Sequence, residues 1–236
     1  MQRVVVLVQA RMGSTRFPGK MLADLHGQPV LRWVLHRVAQ ATAVDEVVLA
    51  TTDMTRDNPL VELAQHLAVP VYRGNESDVL SRFADAATVF AAECVVRVCA
   101  DNPFIDPAEI DRLIAYFRSN KCDYACNHQD RNGSRYADGF GAEILASNLL
   151  QRIASLAHEA RHREHVTLYL HDHANDFDLR AVPAPEELAY PRLRFDVDEQ
   201  ADLDFLNRIA KAVNGDIDVP AAEIVRTALK DAAESQ

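Results

Sequence analysis

The sequence predicts an α/β fold: a three-layer sandwich with a mostly parallel, mixed sheet between two layers of helices. Three observations carry this expectation. Through residues 4–99, short β-branched apolar runs alternate with segments whose apolar residues recur at helical spacing. The runs are continuous rather than alternating, as in strands buried on both faces. The chain has 236 residues, 48% hydrophobic and 25% charged, enough to bury a sizeable core without disulfides or structural metals.

The elements follow in order. Residues 4–8, 47–50, 69–72 and 94–99 read as strands, and 30–39, 60–67 and 79–90 read as helices. Pro29 and Asp78 mark the starts of the first and third helices. Strand and helix in alternation imply parallel pairing with crossovers on both faces. After Pro107 come a helix over 107–117, a strand over 122–127, and a polar stretch over 129–138 containing the turn signal Asn132-Gly133. A strand over 140–145 completes a hairpin-like excursion. Residues 147–173 read as helical and are rich in His and Arg; 177–182 and 193–197 return as strands, and 201–213 and 221–233 close the chain as helices. With no internal repeat or long linker, residues 1–236 form a single domain.

Charge and composition exclude several functions. Thirty-five Asp plus Glu against 25 Lys plus Arg give a net charge of −10, which argues against a surface for nucleic acid or anionic lipid. An anionic ligand therefore needs a local basic cluster. The apolar run at 4–8 is too short for a signal sequence or membrane span and is soon followed by Arg11, so a cytoplasmic protein is expected. In that compartment Cys94, Cys99, Cys122 and Cys126 stay reduced. Cys122 and Cys126 could supply half of a zinc site, whereas Cys94 and Cys99 flank a core strand.

The basic cluster follows the first strand: Gln9-Ala10-Arg11-Met12-Gly13-Ser14-Thr15-Arg16-Phe17-Pro18-Gly19-Lys20. Three cations and two glycines at the carboxyl end of a central strand suit a polyphosphate, which needs charge-assisted donors and open backbone N–H groups. The loop is neither Gly-x-Gly-x-x-Gly nor a P-loop. Gly13 and Gly19 enclose five residues rather than four, and Met21 stands where the magnesium-binding hydroxyl belongs.

The set Ala10, Arg11, Gly13, Ser14, Arg16, Pro18 and Lys20 resembles the signature of the cytidylyltransferases that make CMP-activated sugar acids, among them the KDO and acylneuraminate enzymes. Downstream, Gly74-Asn75-Glu76-Ser77-Asp78-Val79-Leu80-Ser81-Arg82-Phe83, Ala100-Asp101-Asn102-Pro103-Phe104-Ile105-Asp106-Pro107 and Arg163-Glu164-His165-Val166-Thr167 resemble the spore coat polysaccharide (SpsF-type) branch. The resemblance runs from about residue 3 to about residue 210. It implies the nucleotide-diphospho-sugar transferase fold, with CTP and Mg²⁺ as ligands, a sugar acid or related small molecule as acceptor, and a homodimer. Residues 1–107 would form a nucleotide-binding half and 108–236 an acceptor-binding and dimerisation half.

Asp101, after a strand and before a turn, puts a carboxylate in the ligand crevice; Asp198 matches the family's metal-holding position better than Asp196. Mg²⁺ needs only one or two carboxylates besides waters and phosphate oxygens, so Asp101 and Asp198 suffice. Arg11 and Lys20 join them as the catalytic set. Thr51, Asp53 and Arg82 are candidates for the nucleobase pocket. Glu143, in a stretch where Gly141 replaces the branch's usual Asp, is a candidate acceptor contact. Arg163 and His165 read either as ion pairs at a helix start or as acceptor or dimer contacts. His158-Glu159-Ala160-Arg161-His162 spells a zinc-peptidase pattern on an expected helix, without a compelling third ligand. Two other functions stay open: a glycosyltransferase on the same fold, for which Asp196-Val197-Asp198 has the right spelling, and a non-catalytic nucleotide-binding module.

Overall fold

The computed structural model describes residues 2–129 and 133–234. The first strand, β1 (Val4–Gln9), is followed by a two-residue hairpin, β2 (Asp24–Leu25) and β3 (Gln28–Pro29), that sequence reading did not anticipate. His26 (φ 52°) and Gly27 (φ 81°) make its turn, the doubly left-handed geometry that two-residue hairpins favour. Next come α1 (Val30–Val38), β4 (Glu46–Thr52), α2 (Asn58–His66), β5 (Val71–Gly74), α3 (Val79–Val89), β6 (Cys94–Cys99) and α4 (Pro107–Ser119). The remaining elements are β7 (Tyr124–Cys126), β8 (Glu143–Ala146), α5 (Ser147–Leu156), α6 (Ala160–Glu164), α7 (Leu168–Asp172), β9 (Leu179–Ala181), α8 (Gln200–Ala212) and α9 (Ala221–Glu234).

The expected sandwich forms. Seven strands lie in the order β5-β4-β1-β6-β8-β7-β9. The first four are parallel; β8 runs antiparallel to both β6 and β7, and β9 is parallel to β7. Because side chains alternate along a strand, Val4, Val6 and Val8 pack under α1, α2 and α4, while Val5 and Leu7 pack under α3 and α5. A third apolar cluster joins Trp33, Phe104, Tyr136, Phe140 and Phe195 to α8 and α9. Arg37, 1% exposed, reinforces that junction by donating to the carbonyls of Ile105, Ile217 and Val219.

Several expectations fail. Residues 193–197 form no strand of the sheet and make one isolated bridge, Asp138 to Arg194. Their backbone bonds go to separate places: Phe195 N–H to Asp138 O (3.0 Å) and Val197 N–H to Asp101 O (2.8 Å). Burial of Phe195 and Val197 produced the strand-like pattern without a partner strand. The 147–173 helix is three helices, broken where Ala157 and His165 adopt extended backbone. Arg163 stabilises the first break by donating to the carbonyls of Ala154 (2.6 Å) and Ala157 (3.3 Å) at the end of α5. The zinc-peptidase spelling is broken too: His158 lies before α6, while His162 lies inside it with Nε2 2.8 Å from Asp172. The strand expected over 140–145 begins only at Glu143, because Gly141 abuts Asn127: a Cβ there would lie 2.1 Å from the Asn127 carbonyl oxygen. The Asn132 half of the expected turn lies outside the described residues; Gly133 has the left-handed φ of 77° that such a turn uses.

Candidate active site

Two clefts meet along the carboxyl ends of β1 and β6. The first, about 360 Å³, is walled by the loop after β1 together with Lys20, Asp101 and Asp198. The second, about 470 Å³, lies toward β8 and the break between α6 and α7, and is lined by His128, Thr167 and His171 among others. Arg97, Cys99 and His165 line both.

The loop is fixed from below. Asp57, fully buried, accepts from Met12 N–H at 2.7 Å and from the Thr52 hydroxyl, tying the loop to the end of β4. Ser14 Oγ accepts from Phe17 N–H at 3.2 Å, closing the next turn. Gly19 then takes φ 76°, where a side chain would be strained, and starts the short 3₁₀ turn Lys20–Leu22. Lys20 is thereby turned inward: its ammonium donates to Val197 O (2.6 Å), Asp101 Oδ2 (3.0 Å) and Asp198 Oδ1 (3.3 Å). Arg16 pairs with Asp198 at 3.0 Å, and Arg11 lies 3.5 Å from Glu164.

The structure therefore brings together Ala10, Arg11, Gly13, Ser14, Arg16, Lys20, Asp101, Asp198 and His165 on one wall. Asp101 and Asp198 converge on a single cation, the Lys20 ammonium. Among the described residues no three His, Cys, Asp or Glu gather as a metal cluster. A divalent ion at Asp101 and Asp198 would thus complete its shell with water and phosphate oxygens, which fits Mg²⁺ rather than zinc.

Other candidates lie elsewhere. Thr51 is fully buried, its hydroxyl without a partner, and Asp53 is exposed. Arg82 is 1% exposed, donates to Asn75 O at 3.0 Å, and has its pKa lowered to about 10 by burial and then by the nearby Arg11. None of these three lines either cleft. Arg163 points away from both, donating to Asp78 Oδ2 (2.6 Å) and Ser81 Oγ at the start of α3. Glu143 sits beneath the second cleft, 2% exposed. It accepts from Tyr124 OH (2.6 Å), Thr167 Oγ1 (3.0 Å) and Arg97. Burial alone would raise its pKa, but the Arg97 charge and these donors hold it well below the carboxylate range.

Sequence reasoning missed Arg97, Gln9, Asp57 and Asp138. Arg97 had a visible signal, a lone cation inside the apolar run Cys-Val-Val-Arg-Val-Cys. Asp138 had none: burial, then the neighbouring Asp196, pushes its carboxyl up to about 7 against the pull of Arg194.

Comparison with known proteins gives the family and the fold. The spore coat polysaccharide biosynthesis protein SpsF of Bacillus subtilis is 31% identical over 230 residues, 95% of this chain and 93% of that one. The 3-deoxy-manno-octulosonate cytidylyltransferase of Geobacter sulfurreducens is 38% identical over 117 residues, only 50% of this chain and 46% of that one. A cytidylyltransferase structure from Leptospira borgpetersenii superposes with a TM-score of 0.92 at 26% identity, covering 99% of this chain and 96% of that one. CMP:2-keto-3-deoxy-manno-octonic acid synthetase, complexed with CTP, shares the fold at a TM-score of 0.67 and 19% identity, over 89% and 99% of the two chains. The fold is the nucleotide-diphospho-sugar transferase fold that the sequence resemblance implied. Residues 5–221 match the cytidylyltransferase family, and the chain belongs to it.

Proposed function

We propose that this chain transfers CMP from CTP to an acidic sugar or related small acceptor, releasing pyrophosphate, in the biosynthesis of a surface polysaccharide or glycoconjugate. One observation carries the reading. A loop of three cations meets a pair of carboxylates that share one of them, Lys20, which is the charge pattern a metal-bound triphosphate requires. The relatives named for CTP and for sugar-acid transfer support the choice of nucleotide and acceptor.

In the reaction, an acceptor oxygen attacks the α-phosphorus in line as the bond to the β-phosphate oxygen breaks. Arg11, Arg16 and Lys20 hold the triphosphate and stabilise the charge that leaves with pyrophosphate. Asp101 and Asp198 would hold Mg²⁺, which when bound neutralises charge on the phosphate oxygens. His165, on the wall common to both clefts, faces the acceptor side. A homodimer belongs to the proposal through the family resemblance.

Thermal unfolding with CTP, UTP, GTP and ATP, with and without Mg²⁺, tests the nucleotide. A ligand at 100 times its dissociation constant adds about 2.7 kcal/mol. A Mg²⁺-dependent shift with CTP alone is expected, followed by pyrophosphate release with sugar acids. A shift with another nucleotide in place of CTP overturns the reading.

A further inference from the structure

The strand β6 orders the two clefts. Residues two apart on a strand face the same way, so Arg97 and Cys99 share the cleft wall, and Asp101 follows in the turn just past the strand end. At about 3.3 Å per residue, Arg97 lies about 7 Å behind the end of β6 at Cys99, on the side away from the turn that carries Asp101. It reaches the second cleft, as Asp101 does not.

Arg97 is held from two sides. Its Nε and Nη2 donate to Gln9 Oε1 at 3.2 and 3.1 Å, and its Nη1 donates to Glu143. Those contacts use three of the five guanidinium N–H groups and leave two. Glu143 is fixed in turn by Tyr124 and by Thr167, itself a residue of the second cleft. A charge in the middle of a buried strand is costly to desolvate. This one is oriented by partners on two strands and keeps 16% of its side chain exposed, at the clefts. Among the described residues the second cleft has no Asp or Glu on its wall, while His128, His165 and His171 line it. That lining suits an anion and repels none.

We propose that Arg97 is the anchor for an anionic group on the acceptor, with Glu143 and Gln9 as the residues that position it. The inference rests on the cytidylyltransferase reading above and assigns a role to a residue that the sequence motifs do not single out. A carboxylate is the group a forked donor pair fits best.

The test compares 3-deoxy-manno-octulosonate and N-acetylneuraminate with their methyl esters, which keep the shape and remove the charge. Pyrophosphate release with CTP and Mg²⁺ gives kcat and KM; calorimetry gives binding of CTP and of each sugar alone. Removing Arg97 by itself would strand the buried Glu143 charge, so the variants are R97K, which keeps a cation, and the charge-neutral double variant R97M/E143Q. The wild type should prefer an acid over its ester at least 30-fold in kcat/KM. R97K should cut that preference at least tenfold, through KM rather than kcat, and the double variant should abolish it, with CTP affinity within twofold of wild type in both. A merely structural arginine would lower the midpoint of unfolding but leave the acid-to-ester ratio alone. Equal use of acid and ester by the wild type, or a preference that survives both variants, overturns the inference and leaves the CTP reading standing. Absence of CTP binding overturns that reading instead. CTP binding without binding or turnover of either acid overturns the anionic anchor alone.

Discussion

The proposed phosphate side and the proposed acceptor side of the cleft are built in different ways. The first is a contiguous loop at the ends of parallel strands, with most of its groups inside residues 10–20 and two carboxylates added from afar. The second is assembled from β6, His128 and Gln129, and the break between α6 and α7. A contiguous loop carries its chemistry in its own spelling, and an assembled wall does not. The first side should therefore fail by chemistry when altered, and the second by affinity or by local stability.

The largest effect is expected at the carboxylates. Asp101→Asn should lower turnover at least about 10³-fold, because it removes a charge from the cation position, while leaving metal-free CTP binding nearly unchanged. Pyrophosphate release and calorimetry check both parts; wild-type turnover in the variant would end the assignment. Lys20→Met should follow, at about 10²-fold in turnover. It has a second signature: the ammonium contacts the same carboxylate oxygens that a divalent ion would use, so the variant should bind Mn²⁺ more tightly than wild type without nucleotide. Electron paramagnetic resonance titration would show it, and unchanged Mn²⁺ affinity would mean the two cations do not compete.

The same contrast explains what could be read from sequence. The parallel half was legible because β-branched runs and helical spacing are local signals, and β6 fell at residues 94–99 as expected. The loop after β1 was legible as a motif, and its residues do line one cleft. Glu143 and Arg163 were misplaced, because a charged residue in a motif looks alike whether it touches a ligand or holds two helices together. Arg163 does the second, joining α5 to the start of α3. The stretch over 193–197 misled for a related reason: alternating burial reveals a wet and a dry side but no partner strand.

Arg163→Ala therefore sharpens the comparison as a stability variant. It loses hydrogen bonds to Asp78 and to two helix-end carbonyls, together worth about 2 kcal/mol. For a chain of this size the midpoint should fall by roughly 5 °C. CTP affinity should hold, since none of those contacts reaches the first cleft. A selective loss of CTP binding would show that the helix break supports the phosphate side after all.

The smallest effect is expected where the two sides meet. Cys99 lines both clefts, yet burial pushes its thiol up to about 12, with the Asp101 and Glu143 carboxylates adding to the rise against Arg97 and Lys20. Alkylation needs the thiolate, which at pH 8 is then only about 10⁻⁴ of the population. Iodoacetamide at that pH should leave activity nearly intact over an hour, and Cys99→Ser should change turnover by no more than about twofold. Rapid inactivation that CTP prevents would mean that water and cations reach the junction far more freely than so raised a thiol pKa allows. The two clefts would then be one hydrated channel, and the anchor on the acceptor side would act through a solvent-screened field rather than a direct, desolvated contact.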